Sequence, residues 1–127
     1  MNETLLHLLP NRVSQSPNYA AVHFKENGGW RTYTWAQLYR LVAQFSLGLT
    51  KAGIEKETRV ALLSETRPEW MISDLAIMGS RGVVVPIYPS QRAEEIEYIL
   101  NHAEVKFLIV ENLEQLEKWK LIADRCP

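Results

Sequence analysis

Three short apolar runs constrain this chain more than anything else in it: Arg59–Leu63, Val83–Ile87 and residues 106–110. Each is nearly continuous, without polar residues at alternate positions. A strand of that kind is buried on both faces, as in parallel sheets with helices packed on each side. The segments between the runs have helical character. Pro68 stands at a favoured first-turn position and opens a helix predicted to reach Arg81. Residues 91–102 follow Ser90 as N-cap and place Ile96, Ile99, Leu100 and Ala103 on one face. A last helix is predicted over 112–125, where Leu113, Leu116, Trp119 and Ala123 recur at helical spacing. Strand and helix thus alternate, and the alternation is still running at Pro127. The predicted fold class is α/β, a mostly parallel sheet flanked by helices.

The first third of the chain adds an N-terminal β-hairpin. Residues 1–18 are expected to form only a helical turn over 4–9, stopped by Pro10, and a polar loop over 11–18. Residues 19–25 and 29–34 are β-prone, and Asn27, Gly28 and Gly29 supply the positive φ angles of a tight turn between them. Thr34 and Gln37 then have capping-box spacing. Leu38, Leu41, Val42, Phe45 and Leu49 follow at helical period until Gly53 ends the helix.

Size and composition limit the function classes. At 127 residues, 46% hydrophobic and 23% charged, the chain can bury a core and reads as a single α/β (sub)domain over 1–127. Fourteen basic and fifteen acidic residues leave a net charge of −1, which gives no footprint for nucleic acid or a polybasic membrane anchor. Cys126 is the only cysteine, so no internal disulfide can form and a reducing compartment is expected. No run approaches the ~20 apolar residues of a transmembrane segment. The expected location is cytoplasmic.

In an open parallel sheet, ligands bind beyond the carboxyl ends of the strands. The connection after Leu63 reads Ser64, Glu65, Thr66, Arg67, Pro68. It holds no glycine to let a backbone approach a pyrophosphate, and Glu65 would repel phosphate. Ser64 lacks the Gly-x-Ser-x-Gly context of a nucleophile, and closing a strand is its plainer role. His7, His23 and His102 are isolated from one another and from Cys126, without metal-ligand spacing. Asp74 sits in an otherwise apolar helix, expected in its first turns where the macrodipole favours an acid. Trp30, Trp35, Trp70 and Trp119 have no basic patch beside them and are expected to pack in the core or a buried interface. Arg67 and Arg92 each stand near a helix start, unfavourable for a cation, so each is expected to have a paired acid or a partner contact. The residues alone yield no catalytic, cofactor-binding or metal-binding set.

The order of these signals resembles a known family. Trp30-Arg31-Thr32-Tyr33-Thr34-Trp35 leads into a long helix, then Gly53, Arg59–Leu63, Arg67-Pro68-Glu69-Trp70, Gly82 and the strand to Pro86, and Ile87-Tyr88-Pro89. Glu94, Glu95, Ile96, Tyr98, Ile99, Leu100 and Asn101 continue it, as do residues 106–111. Over residues 19–112 this is similar to the N-terminal part of the adenylate-forming acyl-CoA synthetase superfamily. Ile87-Tyr88-Pro89 resembles the long-chain fatty acid CoA ligases within it. Two departures stand out. Glu57-Thr58 replaces a frequent Gly-Asp, bearing on the turn there, and Ser80-Arg81 replaces small residues, which suggests a different helix surface or an Arg81 pairing.

The resemblance implies a reaction in two steps. A carboxylate attacks the α-phosphate of ATP with magnesium to give an acyl adenylate, and the CoA thiol then displaces AMP. It also implies that the residues doing this lie downstream, in a Gly/Ser/Thr-rich loop ending in Pro-Lys-Gly, in adenine- and ribose-binding segments and in a mobile C-terminal domain. The chain is therefore expected to be an inactive N-terminal fragment, holding no cofactor. Its partners would be the remainder of the parent enzyme and, through it, a fatty acid; peripheral membrane association of the parent is compatible with this. Self-association through a cut face is also expected. The alternatives are a fragment of an aryl or medium-chain CoA ligase or of a carrier-protein adenylation domain, or a naturally short, non-catalytic binding or regulatory protein. A flavodoxin-like or receiver-like domain would need clustered acids or a phosphate loop at strand ends.

Overall fold

A computed structural model describes residues 4–127. The elements run α1 (Leu5–Gln15), β1 (Ala20–Glu26), β2 (Gly29–Thr34), α2 (Trp35–Lys51), β3 (Arg59–Leu63), α3 (Pro68–Gly79), β4 (Val83–Ile87), α4 (Ala93–His102), β5 (Phe107–Val110) and α5 (Leu113–Lys120), then a 3₁₀ turn at Ala123–Arg125. β3, β4 and β5 form a parallel sheet in the order β4-β3-β5. β1 and β2 form a separate antiparallel hairpin, turned by Asn27 and Gly28 at φ 51° and 79°. No helix among the described residues is long and apolar enough to cross a membrane.

The continuous apolar strands follow from burial on two sides. Val60, Val84, Phe107 and Ile109 pack with Leu38, Val42, Leu49, Ala76 and Ile77 of α2 and α3. Ala61, Leu63, Val85, Ile87, Leu108 and Val110 pack on the opposite face with Ile96, Leu100, Trp119 and Ile122. Successive side chains of a strand alternate faces, so covering both faces requires an apolar residue at every position. β3, in the centre, is almost wholly buried, while β4 and β5 are part-exposed edges.

The helices before the three parallel strands end in the same way. After α2, α3 and α4, the residues Gly53, Arg81 and Glu104 take positive φ (101°, 68° and 49°). The next amide in each case returns to the helix: Ile54 to the Leu49 carbonyl (3.1 Å), Gly82 to Ile77 (2.9 Å) and Val105 to Leu100 (2.9 Å). Each is a Schellman motif. Only the first uses the glycine that a left-handed backbone favours. Glu57 is left-handed too, at φ 66°; Thr58 Oγ1 accepts the Glu55 amide at 3.0 Å and holds that turn. Arg81 thus serves as the left-handed residue that ends α3, and no acid forms an ion pair with it among the described residues.

Four expectations need correction. The first helix does not stop at Pro10 but continues to Gln15. Proline inside a helix removes the donor to the i−4 carbonyl, yet Leu9 and Val13 pack into the core and Arg12 lies 5.5 Å from the Trp35 ring, so tertiary contacts override the break. Ser90 is not the cap of α4: it lies in the turn closed by the Gln91 amide on the Tyr88 carbonyl (3.1 Å), and Arg92 is the N-cap, its amide donating to Glu95 Oε2 at 2.8 Å. α3 ends at Gly79, short of Arg81. The last helix ends at Lys120, Leu113 is 75% exposed, and Ile122 turns inward to fill the core.

Candidate functional site

The winding of the chain creates crevices at the carboxyl end of the sheet. The connection after β3 leads to α3 on one face, whereas those after β4 and β5 lead to α4 and α5 on the other. β3 therefore diverges from both neighbours, which is the condition for a ligand crevice in an open α/β sheet. Two hollows lie there. One, of about 240 Å³, is lined by Ser64, Arg67, Trp70, Ser73 and Glu111. The other, of about 490 Å³, is lined by Glu65, Thr66, Trp70, Ile87, Tyr88 and Pro89.

The first crevice is held by charge. Arg67, the N-cap of α3, gives Nη1 to Glu111 Oε1 (3.1 Å) and Nε to Glu69 Oε2 (2.7 Å). Glu111 Oε2 accepts the Glu65 amide at 2.8 Å. One carboxylate after β5 thus fixes the whole connection after β3. The hydrogen bonds to Glu69 and Glu111 raise the Arg67 pKa, and the Arg67 hydrogen bond holds Glu69 below the usual carboxylate range. The second crevice is braced by Lys118 of α5, which donates Nζ to the Pro89 and Gln91 carbonyls and fixes the loop after β4.

These residues do not fit a nucleotide. Glu65, Glu69 and Glu111 surround Arg67, its donors are taken by carboxylates, and Lys118 is engaged by backbone carbonyls. A phosphate placed beside Arg67 would meet the repulsion of these carboxylates. The arrangement anchors the loops after β3 and β4.

The sequence-selected residues are scattered. Ser64 is buried, its hydroxyl donating to the Glu65 carbonyl at 2.9 Å, in a strand-closing role. His7 Nδ1 accepts the Thr4 amide (3.0 Å) at the start of α1, His23 bonds Thr32 Oγ1 (2.9 Å) across the hairpin, and His102 stacks on Tyr98. Among the described residues no three His, Cys, Asp or Glu side chains cluster to hold a metal. Asp74 lies beyond the first turn of α3, and burial pushes its carboxyl pKa up with no compensating partner, so the macrodipole expectation is corrected. Trp35, Trp70 and Trp119 are half-buried, but Trp30 is 70% exposed because nothing covers that side of β2; Lys25 lies 5.3 Å from its ring. Arg67 has its paired acids, and Arg92 lies 3.6 Å from Glu95. Local reasoning missed Glu111 and Lys118 as site residues. Both act across 27 or more positions of sequence, which periodicity does not report.

Known proteins share both sequence and fold with this chain. Residues 9–126 match the family described as AMP-binding enzyme. The long-chain-fatty-acid–CoA ligase ACSBG2 of Mus musculus is 31% identical over 119 residues, which are 94% of this chain and 18% of that protein. The chain thus spans less than a fifth of the length of that relative. Among solved structures, the anthranilate CoA ligase AuaEII in complex with anthranoyl-AMP superposes with a TM-score of 0.86 at 25% identity, over 96% of this chain and 23% of that one. The N-terminal subdomain of Klebsiella oxytoca NpsA superposes with a TM-score of 0.79 at 22% identity, over 87% of this chain and 28% of that one, and shows the fold alone. With the family match covering nearly all of it, this chain belongs to the AMP-binding enzymes.

Proposed function

We propose that the chain is the N-terminal scaffold of an ATP-dependent long-chain fatty acid CoA ligase, which turns fatty acid, ATP and CoA into acyl-CoA, AMP and pyrophosphate. The observation that carries this reading is the likeness to a long-chain ligase over 94% of the chain. The chain's own part is architectural. Its strand-end loops are braced by Arg67, Glu111 and Lys118, and ATP, magnesium, CoA and the fatty acid would be held by the remainder of the enzyme. The 25% identity to an anthranilate CoA ligase supports the reaction class and leaves aryl acids as the competing substrate.

The test is the product of the complete reading frame that contains these residues, assayed for AMP formation with palmitate and with anthranilate in parallel. Preference for palmitate is the expected result. Preference for anthranilate would replace the acid and keep the reaction, whereas a frame closed at Pro127 would contradict the scaffold reading.

A further inference from the structure

α5 and the residue before it reach both strand-end connections. Glu111, directly ahead of the helix, accepts the Glu65 amide at 2.8 Å and holds Arg67 after β3. Lys118, near the end of the helix, donates Nζ to the Pro89 and Gln91 carbonyls after β4. Among the described residues, no other side chain from outside these connections hydrogen-bonds to residues 64–66 or 88–91. The two loops that wall the crevices thus share one external support.

That support has a weak seat. Of the residues of α5 only Gln115 is fully buried, at 4% exposure, while Leu116 and Trp119 are half-buried. Gln115 lies one turn before Lys118, so the two share a face of the helix. Its backbone amide donates to Asn112 Oδ1 at 3.0 Å, but its side-chain Oε1 has no donor among the described residues. A buried carbonyl without a partner costs free energy that an apolar side chain in its place would not. The penalty applies only while α5 is docked, because an undocked helix gives that oxygen to water. Segments with few fully buried apolar side chains open at a lower free energy than the core around them.

We infer that α5 is a bolt that disengages as a unit, releasing the connections after β3 and β4 together, and that Gln115 sets how readily it does so. Both crevices then loosen in one event. The device belongs to this chain's own fold and is independent of which acid the parent enzyme activates.

Native-state amide hydrogen exchange tests it, in the product of the complete reading frame, where α5 has all of its neighbours. Leu116 reports α5 through its bond to the Asn112 carbonyl, Glu65 and Gln91 report the two connections, and Val83, bonded to the Thr58 carbonyl, reports the sheet. Gln115→Leu is expected to slow exchange at Leu116, Glu65 and Gln91 by a common factor of roughly 10 while leaving Val83 unchanged. Lys118→Met, which keeps the apolar stem and removes the donors, is expected to speed exchange at the same three amides together. A change at Leu116 that leaves Glu65 and Gln91 at their original rates, in either variant, would overturn the inference. An equal change at Val83 would overturn it too, since it would mark global unfolding in place of a local release.

Discussion

Arg67 reaches across the end of the sheet to Glu111, with Nη1 3.1 Å from Oε1, and joins the residue before α3 to the residue after β5. The Glu111 side chain is mostly buried, at 12% exposure, and the Arg67 side chain is 44% exposed. The pair lines and braces the crevice that an α/β sheet of this winding opens at its strand ends.

Removing that carboxylate should loosen both connections. Glu111→Ala leaves the Glu65 amide without its acceptor and Arg67 with Glu69 alone, a loss of about 1–3 kcal/mol. Glu111→Gln keeps an acceptor oxygen and is expected to lose less. Urea unfolding of the two variants checks the order, with unchanged m values showing that stability alone has moved.

Two acids on α3 should respond to pH in opposite directions. Glu69 has a lowered pKa because of its hydrogen bond to Arg67, so its contribution is present above the unfolded carboxylate pKa and lost as pH falls through the folded value. Asp74 has a raised pKa because of burial, so it destabilises once pH rises through its folded value and is neutral in effect below the unfolded one. Asp74→Asn is therefore expected to raise Tm at pH 7, and Glu69→Gln to lower it. Both differences should vanish in acid, which thermal unfolding across pH would show.

The turn before β4 should accept glycine at one position and reject alanine at the next. Arg81 is left-handed at φ 68°, and Arg81→Gly should stabilise by about 0.5–1 kcal/mol after the entropy of the added glycine is counted. At Gly82 a Cβ would sit 3.0 Å from Ile77 Cγ2 and 3.1 Å from the Thr58 carbonyl oxygen. Gly82→Ala should cost about 1–3 kcal/mol as the packed turn moves to make room. Calorimetry of the two variants, with opposite signs expected, is the check.

The sheet was legible in the sequence because burial on two faces writes apolar residues at every strand position, as in Val60, Ala61, Leu62 and Leu63. α2 was equally legible, since Thr34 and Gln37 do form the capping box: the Gln37 amide donates to Thr34 Oγ1 (3.2 Å) and the Thr34 amide to Gln37 Oε1 (2.9 Å). α1 was not, because local rules see Pro10 but not the core that Leu9 and Val13 enter. The strand-end network was hidden for a related reason. Glu111 has nothing in its own neighbourhood to mark it, and its role appears only when β5 is laid beside β3. The absence of a glycine cradle after Leu63, by contrast, is local and could be read directly.

On the proposed function, this chain builds scaffold and does no chemistry by itself. Incubating the purified 127-residue chain with palmitate, ATP, magnesium and CoA tests it most directly. The expected result is no AMP, pyrophosphate or palmitoyl-CoA above the protein-free blank; palmitoyl-CoA formation that scales with chain concentration would overturn the proposal.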